Sequence, residues 1–192
     1  MKKNNTRNTI IGLVILAVAV LVIFILAINT PDKKADTVQI TAASKQLSKD
    51  YNKAYPATPR AVLTEYAEIT KCFYDPETKE EQIKPLAEQM RRLFDDELAA
   101  NQTFDDFVNS LRSEIAIYRK AGKIISSYAV SSSTDVKYEE NENGTYATLY
   151  VSLNVREDGK INKIKEQFLM RQDQEGHWKI LGWVLAEKNK ET

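Results

Sequence analysis

Residues 10–28 read IIGLVILAVAVLVIFILAI, a run of nineteen without a charge in which only Gly12 is not strongly apolar. A helix of that length spans roughly 28 Å at ~1.5 Å per residue, close to the ~30 Å of a bilayer's hydrocarbon. A helix buried in a protein core would carry polar punctuation, and this one carries none. A cleaved signal has a shorter apolar stretch, about 7–15 residues, and a small-residue exit. Here the run ends in LAINTPD and lacks a lipoprotein cysteine. The expectation is an uncleaved single-span anchor over residues 10–28.

Lys2, Lys3 and Arg7 precede the run without acids, whereas Lys33 and Lys34 follow it between Asp32 and Asp36. By the positive-inside rule residues 1–9 are cytoplasmic and the rest of the chain is extracellular, tied to the cell membrane. The 27 basic and 27 acidic residues supply no basic surface for phosphates, so no nucleic-acid partner is expected. A single cysteine excludes an internal disulfide framework and a multi-cysteine metal site. It also suits an oxidising exterior, where it cannot mispair within the chain. Residues 29–54 are polar, and Val38, Ile40 and Leu47 make no sustained stripe; they read as a flexible tether with room for a short helix. A folded domain is expected over residues 55–188, with residues 189–192 as a tail.

Within it, Thr58 and Pro59 form a helix start, and Val62, Tyr66, Ile69 and Phe73 lie on one helical face. Asp75-Pro76 ends that helix. Leu86, Met90, Phe94 and Leu98 recur every four residues and mark a second helix. It starts either with a turn capped by Thr78 and Glu81 or at Pro85 itself. Thr103 caps a third helix with the stripe Phe104, Phe107, Leu111, Ile115 and Tyr118, and Gly122 closes it. The period then changes to two. Ile124, Tyr128, Val130, Val136 and Tyr138 share a face of one long strand. After an Asn143-Gly144 turn, Ala147, Leu149, Val151, Leu153 and Val155 alternate inward. Ile164, Phe168 and Met170 share a face of the next strand, as do Trp178, Ile180 and Val184 of the last. The expected class is α+β: three helices packed on a curved, cone-like, four-stranded antiparallel sheet, after one transmembrane helix.

The segments TPRAVLTEY, the long strand from Ile124 and the closing FLMRQDQEGHWKILGW resemble the nuclear-transport-factor-2-like superfamily. That resemblance implies a sheet wrapped around helices to enclose a cavity. YPATPRAVLTEYAEITKCFYD with WKILGW resembles a family of uncharacterised single-span proteins of Gram-positive bacteria. An anchor followed by such a domain also resembles the bitopic scaffold subunits of type IV secretion and conjugation machines. The superfamily label by itself implies no one activity, since its members include enzymes, binding domains and scaffolds.

Cys72 lies at the edge of an apolar helix stripe, and the one histidine, His177, falls in a distant turn. Nucleophilic catalysis needs a base or another source of thiolate, so Cys72 reads as a packing residue and His177 as a turn residue. The acid pairs Asp95-Asp96 and Asp105-Asp106 stand at helix ends, where they cap or face solvent. Glu166 shares parity with Phe168, so it either points into the cavity, where its pKa would be raised, or lies near the strand end at the wet rim. Tyr66, Tyr128, Tyr138 and Trp178 are candidates to line that cavity with it, although aromatic residues at these spacings are usually core. Tyr146, Tyr150 and Trp183 take the other parity, as a sheet-face contact. No metal and no cofactor are expected. The expected role is a membrane-anchored binding or scaffold module for a protein partner, an envelope ligand or a second copy. The alternative is a small-molecule sensor or enzyme with Glu166 as base.

Overall fold

Where the hydrophobic period changes after Gly122, the computed structural model, which describes residues 41–186, passes from helices to strands. The apolar run of residues 10–28 lies outside the described residues, and among those described no helix is long and apolar enough to cross a membrane. Before the change come α1 (Ala42–Leu47), α2 (Pro59–Phe73), α3 (Glu80–Arg91), α4 (Asp96–Ala100) and α5 (Phe104–Lys120). After it come β1 (Ile124–Val130), β2 (Lys137–Asn141), β3 (Gly144–Glu157), β4 (Lys160–Gln172) and β5 (Trp178–Leu185). The α+β class stands, with five helices and five strands among the described residues in place of three and four.

Each difference has a specific cause. The expected long strand from Ile124 is two strands, both antiparallel to β3, with a 3₁₀ turn at Ser133–Asp135 between them. Serines make the break: Ser131 Oγ accepts the Tyr150 N–H and Ser132 Oγ accepts that of Thr134, bonds that compete with a ladder. The expected second helix is also divided. The Ile180 N–H donates to Leu93 O and the Asp95 N–H to Ile180 O, both at 2.8 Å, so Phe94 leaves the helix to bridge to β5. Asp95 then caps α4 by accepting the Glu97 N–H. At the start of α3, Gln82 Oε1 accepts the Lys79 N–H rather than Glu81 reaching back to Thr78. Pro85 lies inside that helix.

Other signals appear as read. Thr58 and Thr103 cap α2 and α5 through their hydroxyls, and Gly122 takes a φ of 64° at the end of α5. The positive-φ pair that a type I′ turn requires is at Asp158 and Gly159. Gly144 instead pairs with Asn141 at the base of its hairpin.

The sheet runs β1–β3–β4–β5, with β2 beside β1 along the same edge of β3. Helices cover one face. Val62, Leu63, Ile69, Leu86, Ile115, Leu149, Phe168 and Met170 make the centre of one core. That core begins before the boundary expected at residue 55: Ala43 and Tyr51 are buried in it. Glu65 Oε2 accepts from Lys49 Nζ (2.6 Å), the Tyr51 hydroxyl (3.0 Å) and Gln46 Nε2 (3.3 Å). Three donors on one carboxylate hold residues 41–54, the second half of the expected tether, on α2.

Phe168 is fully buried, its ring 5.0 Å from that of Tyr66 and 5.7 Å from that of Trp183. Phe168→Ala leaves a cavity there and is expected to cost about 3–5 kcal/mol. Urea unfolding of the full chain in detergent, followed by tryptophan fluorescence, should show a lower midpoint at unchanged slope.

Candidate functional site

Along β4 the inward positions are Ile164, Glu166, Phe168 and Met170, and they include one carboxylate. The register sets Glu166 between Val151 on β3 and Leu185 on β5, and Phe168 between Leu149 and Trp183. Glu166 is half-buried, and its Oε2 is buried with no hydrogen-bond partner among the described residues. Burial, and secondarily Glu114 on α5, push its carboxyl above the ordinary 4.5. Tyr66 on α2 stands nearby. Its ring makes a T-shaped contact with Phe168 and a tilted one with Trp183 at 5.8 Å, and burial followed by the Glu166 charge raises its hydroxyl.

Trp183 was expected on the outer face and lies on the inner one. The β4–β5 register slips between Leu169 and Met170, whose partners are Gly182 and Ile180. Leu181 is the extra residue, and from Gly182 onward the parity of β5 is reversed. Trp183 stacks on Phe168 at 22° and meets Phe94 at 6.0 Å. A bulge between Ile125 and Ser127 does the same in β1, burying Ile125 rather than Ile124.

The other candidate cavity residues separate. Tyr138 is 60% exposed and leans on Trp178 at 5.7 Å, so it lines no interior. Trp178 is a buried core residue. The Tyr128 hydroxyl bonds the Glu68 carboxylate on α2, which straps β1 to the helix. On the outer face, the Tyr146 hydroxyl donates to Asn143 O in its own hairpin. Tyr150 lies under the Lys165 ammonium at 4.3 Å. Tyr150, Ser152, Lys165, Lys137 and Asp135 line a shallow open depression of about 490 Å³.

A larger open groove, about 1300 Å³, was not anticipated from the sequence, because its walls come from four separate segments. Its cations are engaged internally. Arg171 forks onto Asp95 (2.6 and 3.0 Å) and reaches Glu97 (2.8 Å). Arg91 donates to Ala99 O and Gln102 O. Lys179 Nζ donates to Arg92 O and lies 4.3 Å from the centre of the Tyr55 ring. The His177 ring lies 4.6 Å from that of Tyr55, tilted by 43°, and the Tyr55 hydroxyl donates to Trp178 O. These contacts fasten the β4–β5 turn to the segment before α2. Cys72 is buried, and burial pushes its thiol up to about 11, which keeps it neutral. Among the described residues no three side chains converge as metal ligands.

The model of DUF6715, a domain of unknown function, matches residues 1–183. No curated protein matches the chain. Among solved structures, the chain is similar to a de novo designed β-sheet protein determined by NMR. That match has 12% identity and a TM-score of 0.33, over 67% of this chain and 95% of that one. A second, the proposed transfer protein TraH from the Gram-positive conjugative plasmid pIP501, has 15% identity and a TM-score of 0.36, over 70% and 98%.

The raised Glu166 pKa gives a signed expectation. Between the ordinary value and the folded one the native state holds a proton that the unfolded chain has released, so stability falls as pH rises through that window. Glu166→Gln removes this cost. The variant should match the wild type near pH 4 and exceed it at neutral pH, as read by urea unfolding at several pH values. A constant difference at every pH would mean the carboxylate carries no such burden.

Proposed function

The chain belongs to the DUF6715 family, a domain family of unknown function, and from that premise we propose that it is a membrane-anchored binding or scaffold module. On this reading residues 10–28 are the anchor and the folded body stands outside the cell. The helices laid on one face of an antiparallel sheet, and the tryptophan-led last strand, support a nuclear-transport-factor-2-like plan for that body. The observation that carries the binding role is the contrast between interior and rim. Phe168, Met170 and Trp178 fill the space that a ligand would take in an open cone. Yet three consecutive apolar residues at the end of β5 stay in water: Trp183 at 38%, Val184 at 63% and Leu185 at 72%. Isolated exposed apolar residues are ordinary, whereas exposed apolar residues gathered at one strand end, Trp183 and Leu185 on the inner face and Val184 on the outer, support a contact surface. The partner on this reading is another protein, met at the cone rim and the adjoining sheet face.

Glu166 supports the alternative, a small-molecule sensor or enzyme. Its Oε2 is buried and without a partner among the described residues, at the strand position opposite Leu185, and a carboxyl of raised pKa can act as a general base. The filled interior ranks this second.

The binding reading is tested in intact cells with a photo-crosslinking residue at Leu185 and, as control, at Glu88 on the exposed side of α3. Adducts from position 185 and none from 88 are expected, with the chain kept in membranes through alkaline extraction. Recovery of the chain in the soluble fraction with residues 10–28 intact overturns the anchor. Absence of adducts at both positions overturns the contact surface.

A further inference from the structure

The same strip has a backbone side. β5 is an edge strand, and among the described residues only its first half is covered. There, residues 93–95 bond both backbone groups of Ile180. Further along, the Ala186 N–H donates to Lys165 O at 2.8 Å. Since the bonding direction alternates along a strand, the groups of Val184 also face β4. Those of Trp183 and Leu185 face the open side. Among the described residues these two N–H and two C=O groups have no partner.

Natural edges of this kind are blunted by lysine, proline or a covering loop. Residues 180–186, ILGWVLA, hold no charge and no proline. The one irregularity, at Leu181, lies before the open half. A neutral strand gives a charged segment nothing to pair with. A second copy of the same strand, run antiparallel, satisfies it in full.

We propose that two copies of this chain join through their β5 edges, Trp183 of each opposite Leu185 of the other, about a two-fold axis at Val184. This deepens the binding reading above and rests on it. Four backbone hydrogen bonds close between the two Trp183–Leu185 pairs. On the inner face each indole receives the other copy's Leu185, a cross-strand aromatic–aliphatic pair. On the outer face the two Val184 side chains meet. The arrangement is isologous, so it closes at two copies and uses up the open half of both β5 edges.

The geometry makes a specific test. Across the axis Val184 faces itself in a non-hydrogen-bonded antiparallel pair, whose Cα atoms are about 4.5 Å apart, within the range a disulfide spans. Val184→Cys in the full chain, oxidised in native membranes, should give a disulfide-linked species of twice the chain mass. Lys163→Cys, exposed on the outer face of β4, should not. The native Cys72 is buried and does not compete. Adding Leu185→Lys to Val184→Cys should lower the dimer yield by about tenfold or more; Leu185 is largely exposed, so the fold tolerates the change. A monomer only, an equal yield from Lys163→Cys, or a dimer indifferent to Leu185→Lys each overturns the pairing. A mixed species of another mass assigns the edge to a different partner, and so overturns the pairing too. If the monomer result comes with photo-adducts at position 185, the binding module survives without the dimer. If neither forms, both readings fall.

Discussion

Asp95 is where the helical half and the sheet of this protein are tied together. Its side chain is almost fully withdrawn from water, a costly position for a carboxylate unless its oxygens are bonded. They are. One oxygen caps α4, and both accept the Arg171 fork. Its backbone N–H meets Ile180, whose own N–H meets Leu93. A charge-assisted, bidentate pair is among the stronger polar contacts, and here it is attached to the backbone bridge between residues 93–95 and the edge of β5. The helical stripe that continues from Met90 to Phe94 and Leu98 is overridden there, because Phe94 packs against Trp183 and Phe107 only if the chain leaves the helix. Asp95 thereby sets how far the sheet edge is covered. The covered half of β5 is the half it reaches.

The second constraint is the single extra residue in β5. Without Leu181 as a bulge, a strict alternation from Trp178 would put Trp183 outside and Val184 inside. With it, Trp183 closes the aromatic group of Tyr66, Phe94 and Phe168, and Leu185 comes opposite Glu166. One inserted residue therefore decides which side chains surround the only inward carboxylate of β4. It also decides which backbone groups look outward.

What could be read from the sequence follows the range of the forces involved. Thr58, Thr103 and Gly122 act within a turn of themselves, and their roles were legible. So was the inward alternation from Ala147 to Val155, on a central strand with no bulge, and the inward parity of Glu166. The break before α4, the division of β1 from β2 and the reversal at Leu181 depend on pairings between residues far apart in the chain. No local pattern encodes these. The recruitment of residues 41–54 was hidden for another reason. Ala43 and Tyr51 are too few to make a stripe, and what holds them is Glu65, which looks like an ordinary exposed helix residue until three donors converge on it. Of the candidate site, Tyr66 and Glu166 could be paired in advance. Trp183 could not, and it is the residue that makes the rim.

Rim and edge are built from the same two residues, and this couples them. Leu185 is the cross-strand neighbour of Glu166 and also one of the two residues whose backbone is open. A strand laid along β5 covers Leu185 and Trp183, and so removes water from the Glu166 carboxyl, which burial and Glu114 already hold toward its protonated form. Further dehydration raises that pKa again. By linkage, a state that takes up a proton is favoured as pH falls, so covering the edge and protonating Glu166 assist one another. The unpartnered oxygen of Glu166 is then better understood as a consequence of where the bulge puts it than as a flaw in the core. It stands beside the half of the β5 edge that is open among the described residues, and its cost is smallest when that stretch is closed and the proton is bound.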